Sequence, residues 1–218
     1  MPKLRRSRRR VLHIFAAAAA LAALPQLAVA QTPGQPLSAA DQADVARVEE
    51  YLNGLRTLSA RFLQVTDTGA ISLGTLYLSR PGRLRLEYDP PVPILMVADG
   101  TFLIHYDKQL RTTSYLPLDS TPAGLLVRDK IVLGGELTVT AVERGPGSLR
   151  VTILRSKDPR AGRLTLVFRD RPLALINWQV VDAQGRTTRV QLSEERSDVA
   201  LDPALFRFVA PEPPAETR

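Results

Sequence analysis

Residues able to do nucleophilic, acid–base or metal chemistry are few and scattered in this chain. Its 218 residues hold two histidines, His13 and His105, and no cysteine. His13 falls in an N-terminal segment with the character of an export signal, so His105 is the one imidazole left to the folded part. One histidine without a thiolate cannot assemble the common zinc ligand sets. A Ser-His-Asp hydrolase would need His105 beside a serine on a sharp turn, and no Gly-x-Ser-x-Gly motif occurs. Asp67, Asp99, Asp107 and Asp170 stand at turns, where a carboxylate bonds to nearby backbone N–H groups. No two carboxylates are marked out for paired acid–base work. His105 lies on the strand face opposite Phe102, Ile104 and Tyr106, which predicts a surface or hydrogen-bonded histidine. An enzyme is therefore disfavoured, and no cofactor or metal is expected.

The termini explain much of the composition. Lys3, Arg5, Arg6, Arg8, Arg9 and Arg10 form a basic start, Val11 to Leu27 are largely apolar, and Ala28-Val29-Ala30 is a small-x-small site. These features predict an export signal over 1–30, cleaved after Ala30. Ser7-Arg8-Arg9-Arg10-Val11-Leu12 also resembles a twin-arginine motif, so two export routes stay open. The net charge of +7 comes from 29 basic and 22 acidic residues. Six of the basic residues and none of the acidic ones lie in the signal, which leaves 23 against 22, or +1. That balance gives no basic face for phosphate and excludes nucleic acid as an expected partner. Without cysteine there is no disulfide to brace the fold in an oxidising compartment, and no thiol to carry a lipid anchor. The remaining 188 residues, 31–218, suffice for one domain with a sizeable core.

The elements that must position any site begin with a helix. Ser38 with Asp41 three residues on forms a capping pair, Val45, Val48, Leu52 and Leu55 recur at helical spacing, and Gly54 suits the stop. Short alternating runs follow near 58–67, 71–79, 83–89, 94–98, 101–106 and 110–116. Thr121-Pro122 then caps a short helix carrying Leu125, Leu126 and Val127. Strands resume near 136–143, 148–155, 162–169, 173–182 and 186–194. Asp99-Gly100, Gly145-Pro146-Gly147, Asp170-Arg171-Pro172 and Gln184-Gly185 mark turns. About eleven closely spaced strands predict an antiparallel meander, as a barrel or a strongly curved sheet. A turn of helix is expected at Asp202-Pro203, and a mobile Pro-rich tail from Pro211.

Alternation divides the strands into faces. Leu84, Leu86 and Tyr88 share one face and Arg83, Arg85 and Glu87 the other. Phe102, Ile104 and Tyr106 share a face, as do Leu164, Leu166 and Phe168, and Trp178 is most simply core. An apolar face packs on itself in a small closed barrel and lines a cavity in an unclosed one. On pattern alone the packed core is the simpler reading.

The ordered motifs resemble those of the carrier proteins for outer-membrane lipoproteins (the LolA type). The helix leads into Phe62-Leu63-Gln64, similar to the family's Phe-x-Gln. Gly74-Thr75-Leu76-Tyr77-Leu78-Ser79-Arg80-Pro81 is similar to its Gly-x-Leu…Arg-Pro strand. Tyr88-Asp89-Pro90-Pro91, Val97-Ala98-Asp99-Gly100, Thr121-Pro122…Leu125-Leu126 and Phe206-Arg207-Phe208 follow in family order. The resemblance covers nearly all of residues 31–218. It implies a mainly β fold with α-helices: an unclosed antiparallel β-barrel with helices covering a hydrophobic cavity. It also implies a monomeric periplasmic carrier that takes lipoproteins by their acyl chains from an inner-membrane ABC transporter and delivers them to an outer-membrane receptor. Arg80 matches the family arginine that bonds to the lid helices and favours the closed state. The implied cavity residues are Leu84, Leu86, Tyr88, Phe102, Ile104, Tyr106, Leu125 and Leu126. Leu86 and Ile104 stand where carriers often have tryptophan, which predicts a more aliphatic cavity. A periplasmic lipid sensor, or a carrier of another envelope lipid on the same fold, remains open. A hydrolase resting on His105 ranks below both.

Overall fold

The computed structural model describes residues 36–209. The expected export signal, its cleavage site after Ala30 and the tail from Pro211 lie outside the described residues. Helix α1 spans Ala39–Gly54. Eleven strands follow: β1 Thr57–Thr66, β2 Ile71–Ser79, β3 Arg83–Tyr88, β4 Ile94–Asp99, β5 Phe102–Asp107, β6 Thr112–Pro117, β7 Leu137–Gly145, β8 Ser148–Arg155, β9 Gly162–Arg169, β10 Ala174–Asp182 and β11 Thr187–Ser197. Helix α2, Pro122–Val127, lies between β6 and β7.

All strands join one antiparallel sheet in the order β6-β5-β4-β3-β2-β1-β11-β10-β9-β8-β7. β6 and β7 do not pair with each other, so the barrel is unclosed. Chain order and sheet order coincide except at one place, where β11 returns to pair with β1 and joins the two hairpin series. Every other contact is a local meander, which short turns between alternating runs produce.

Local chemistry accounts for the helix ends. The Ser38 hydroxyl accepts from the Asp41 N–H at 3.1 Å, and the Asp41 carboxylate accepts from the Ser38 N–H at 3.2 Å, a reciprocal cap. Thr121 caps α2 by accepting from the Gly124 N–H at 3.1 Å, with Pro122 as first residue.

α1 lays Val45, Val48 and Leu52 on the inner face of the sheet. Tyr51 meets Phe168 edge-on at 5.8 Å and accepts from the Leu175 N–H at 3.0 Å. Arg144 of β7 pairs with Asp41 at 2.9 Å, and Arg47 reaches Asp170 at 2.9 Å. These contacts tie α1 to the β7–β10 half of the sheet. Gly74 must be glycine, because a Cβ there would lie 2.3 Å from the Glu87 carbonyl oxygen and 2.5 Å from the Phe62 ring.

The core has two parts. The larger one fills the concave side beneath the helices. The smaller one lies on the outer side, where Leu95, Val97 and Tyr106 are covered by Phe208 of the C-terminal segment. Arg85 fastens that segment by donating to the Leu205 carbonyl at 3.1 Å.

Candidate functional site

Between the curved sheet and α2 lies a cavity of about 510 Å³. Leu84, Leu86 and Tyr88 line it from β3, Met96 from β4, Trp178 and Val180 from β10, Leu164 from β9 and Val190 from β11, with Ala123 and Leu126 on the α2 side. Its volume falls within the usual range for small-molecule sites, about 300–1,000 Å³. The apolar face therefore does not collapse into a packed core.

Of the residues expected to line this cavity, Leu84, Leu86, Tyr88 and Leu126 do so. Phe102, Ile104 and Tyr106 do not, and the correction follows from register. Met96 pairs with His105 and Ala98 with Leu103, while Leu86 pairs with Met96 and Leu84 with Ala98. Leu103 and His105 thus share the concave face with Leu84 and Leu86, and both line the cavity. Ile104 and Tyr106 pair with Val97 and Leu95 on the outer face, where Phe208 packs 5.4 Å from the Tyr106 ring. Phe102 is 38 % exposed and meets Tyr115 edge-on at 6.0 Å. β4 and β5 are apolar on both faces because the C-terminal segment covers the outside. Alternation cannot assign such a strand. Leu125 faces a separate small pocket beside Ile153 and Leu164. His105, expected opposite Phe102, Ile104 and Tyr106 as a surface or hydrogen-bonded residue, does lie on the opposite face, where it is partly buried and lines the cavity. Trp178 supplies the cavity's one aromatic indole, and no periodicity in the sequence marked it for that place.

The Phe-x-Gln motif has a structural basis. Phe62 and Gln64 both point inward and both touch Tyr88. The Phe62 and Tyr88 rings meet edge-on at 5.1 Å, and the Tyr88 hydroxyl donates to the Gln64 amide oxygen at 2.8 Å. Burial pushes the Tyr88 phenol above its ordinary pKa, partly offset by the bond to Gln64.

Arg80 closes the far end of the concave face. It is 8 % exposed and has no carboxylate partner within ion-pair distance among the described residues. Its guanidinium is spent on carbonyls instead. Nε donates to Arg128 O at 2.8 Å, Nη2 to Asp129 O at 3.0 Å and again to Arg128 O, and Nη1 to Leu52 O and to Leu55 O at 3.4 Å. Leu52 and Leu55 end α1, and Arg128 and Asp129 follow α2. One rigid fork therefore holds both helices at their C-terminal carbonyls, which are otherwise unsatisfied. Burial, and the like charge of Arg56, lower the Arg80 pKa from its ordinary value.

The segment after α2 is stitched to α1 a second time. Asn53 exchanges two hydrogen bonds with the Ile131 backbone, at 2.8 and 2.9 Å, and the Glu49 carboxylate accepts from the Leu133 N–H. At the turn after Arg80, the Gly82 N–H donates to Val127 O at 2.7 Å.

An unclosed antiparallel half-barrel with an apolar cavity under a covering helix is a binding fold for an apolar ligand. The family model described as outer membrane lipoprotein carrier protein LolA matches residues 53–209. The outer-membrane lipoprotein carrier protein of Chromobacterium violaceum is 30% identical over 194 residues, covering 86% of this chain and 93% of that relative. Its counterpart in Pseudomonas syringae pv. syringae is 33% identical over 196 residues, covering 85% and 93%. A solved LolA superfamily protein from Nitrosomonas europaea has a TM-score of 0.45 at 8% identity, over 75% of this chain and 97% of that one, a likeness too distant to carry an argument. The chain belongs to the LolA family of outer-membrane lipoprotein carrier proteins. No helix among the described residues is long and apolar enough to cross a membrane.

Proposed function

We propose that this protein carries outer-membrane-directed lipoproteins through the periplasm by sheltering their acyl chains in the cavity beneath α2. The observation that carries this reading is an apolar cavity of about 510 Å³ whose covering helix α2 is tied to α1 by one buried arginine. The physical need is plain. Exposing an acyl chain to water costs about 0.8 kcal/mol per methylene, so a lipid anchor of some 40 methylenes would cost on the order of 30 kcal/mol. Net affinity must stay far below that figure for release to occur. A closed, empty state stabilised by its own hydrogen bonds competes with cargo and lowers the net affinity.

In this reading Leu84, Leu86, Tyr88 and Leu126 contact acyl chains, and Arg80 is the latch between α1 and α2. The chain is exported, with cleavage after Ala30, and works as a monomer. It receives cargo from an inner-membrane ABC transporter and passes it to an outer-membrane receptor. The reaction is binding and release, with no bond made or broken.

Mass spectrometry of lipid or lipoprotein co-purifying with the periplasmic protein tests the reading, alongside a transfer assay from inner-membrane vesicles. Expected is a stoichiometric acylated protein. A protein that never shields acyl chains from water in either measurement would overturn it.

A further inference from the structure

The cavity is not uniformly apolar. Gln64 and Ser72 lie opposite each other on β1 and β2, Thr188 stands on the neighbouring β11, and Tyr88 and His105 complete the set. Ser72 lies near the start of β2 and Arg80 directly after its end, eight residues and about 26 Å of extended chain further on. The polar groups around Ser72 are therefore at the end of the sheet far from the Arg80 bracket. His105 is linked to them through Met96, which pairs with it across β4–β5 and whose sulfur lies 4.0 Å from the Tyr88 hydroxyl.

The hydrogen-bond inventory of this end is lopsided. The Gln64 oxygen is occupied by the Tyr88 hydroxyl, which leaves the amide N–H₂ with no partner among the described residues. The His105 ring likewise has no hydrogen-bond partner among them. Both side chains are only partly buried, and their polar atoms stay accessible to a ligand entering the cavity. The groups left over include N–H donors, two on Gln64 and at least one on any form of the imidazole. A complement to these donors is a ligand that is apolar in bulk and bears acceptors. Ester-linked acyl chains have that character, since a carbonyl accepts and an ester donates nothing.

We infer that Gln64, held by Tyr88, and His105 form a subsite for the carbonyl oxygens of acyl linkages, with the chains running on toward Leu86, Leu84 and Leu103. The inference rests on the carrier reading and adds chemical selectivity to it. Acyl lipids are preferred over alkyl lipids of equal length, and the linkage region is held at the end remote from the latch.

The test compares two synthetic probes, a diacylglyceryl-cysteine peptide and its dialkyl ether counterpart, by displacement of a fluorescent fatty-acid analogue from the folded protein. The wild type should bind the diester about tenfold tighter. Gln64→Leu alone would free the Tyr88 hydroxyl as a new donor, so it is combined with Tyr88→Phe. That pair, and His105→Leu separately, should each cut the preference about two- to tenfold, the value of a neutral hydrogen bond. His105→Gln keeps a donor and should keep the preference. Equal affinity of the wild type for both probes, or variants that weaken both alike, would overturn the subsite and leave the carrier reading standing. Failure of the wild type to bind either probe would overturn both.

Discussion

Arg80 meets Arg128 at its carbonyl: Nε of the first donates to O of the second at 2.8 Å, while Nη1 of the same guanidinium bonds to Leu52 O at the end of α1. The buried charge thus joins the ends of two helices, and the joint breaks if they separate. Each hydrogen bond to a charged group is worth about 1.5–3 kcal/mol. Arg80→Leu leaves those carbonyls unpaired in the closed state and should shift the equilibrium toward opening by one or two powers of ten. The variant is expected to load lipoprotein at near-normal yield and to retain it, so that transfer to the receptor fails. Arg80→Lys keeps the charge without the fork and should be milder. A transfer assay that scores loading and release separately checks this; unchanged release in Arg80→Leu would leave Arg80 a purely structural bracket.

Filling the cavity should separate binding from stability. Leu86 lines it from the middle of β3. Leu86→Trp is expected to lower acyl-chain affinity at least tenfold while leaving the unfolding midpoint unchanged or raised, since cavity filling commonly adds about 0.5–2 kcal/mol. Parallel titrations with a fluorescent fatty acid and with urea distinguish this from the result of a packed core, in which stability would fall.

Gly74→Ala should be destabilising by about 1–3 kcal/mol, the usual cost of overpacking. The added methyl meets backbone at Glu87 O, 2.3 Å away, as well as the Phe62 ring, so no side-chain rotation relieves it. Chemical unfolding with an unchanged slope and a lower midpoint is the expected signature.

The outer cluster should matter to folding and not to cargo. Phe206 is buried and Phe208 partly buried against Tyr106. Phe206→Ala is expected to cost about 3–5 kcal/mol and Phe208→Ala about 1–2 kcal/mol, with fatty-acid affinity unchanged at temperatures where the protein stays folded. A selective loss of binding in Phe208→Ala would place the C-terminal segment in the binding event.

Alkaline pH should weaken the fold through Tyr88 and Tyr51. Both phenols are held above their ordinary value of 10.0, chiefly by burial. The folded form then keeps protons that the unfolded chain loses. This contribution is complete below pH 10 and is lost as pH rises from there through the raised values. Urea midpoints measured from pH 9 to 11 should fall, and fall less in Tyr88→Phe than in the wild type. Absorbance titration should show the two phenols ionising late.

Most of the architecture was legible in the residues themselves. Alternation and turn chemistry are local, so eleven strands could be placed within a few residues, with β2, β8 and β9 at the expected bounds. The Ser38–Asp41 box and the Thr121-Pro122 cap are also local, and both helices start where those residues stand. The inward set on β3 was legible because Arg83, Arg85 and Glu87 mark its other face as polar.

β5 offered no such contrast. Phe102 and Tyr106 are larger than Leu103 and His105, yet Leu103 and His105 face the cavity. The decision was made some hundred residues away, where Phe208 covers the outside of β4 and β5 and makes burial possible on both faces. The same holds for the cavity itself. A run of apolar side chains fills a core or lines a void depending on whether the sheet closes, and closure would need β6 and β7 to pair. The Arg80 bracket shows the limit most plainly. Its partners are backbone carbonyls, which every residue carries, and only the folded chain brings Leu52, Leu55, Arg128 and Asp129 around one guanidinium.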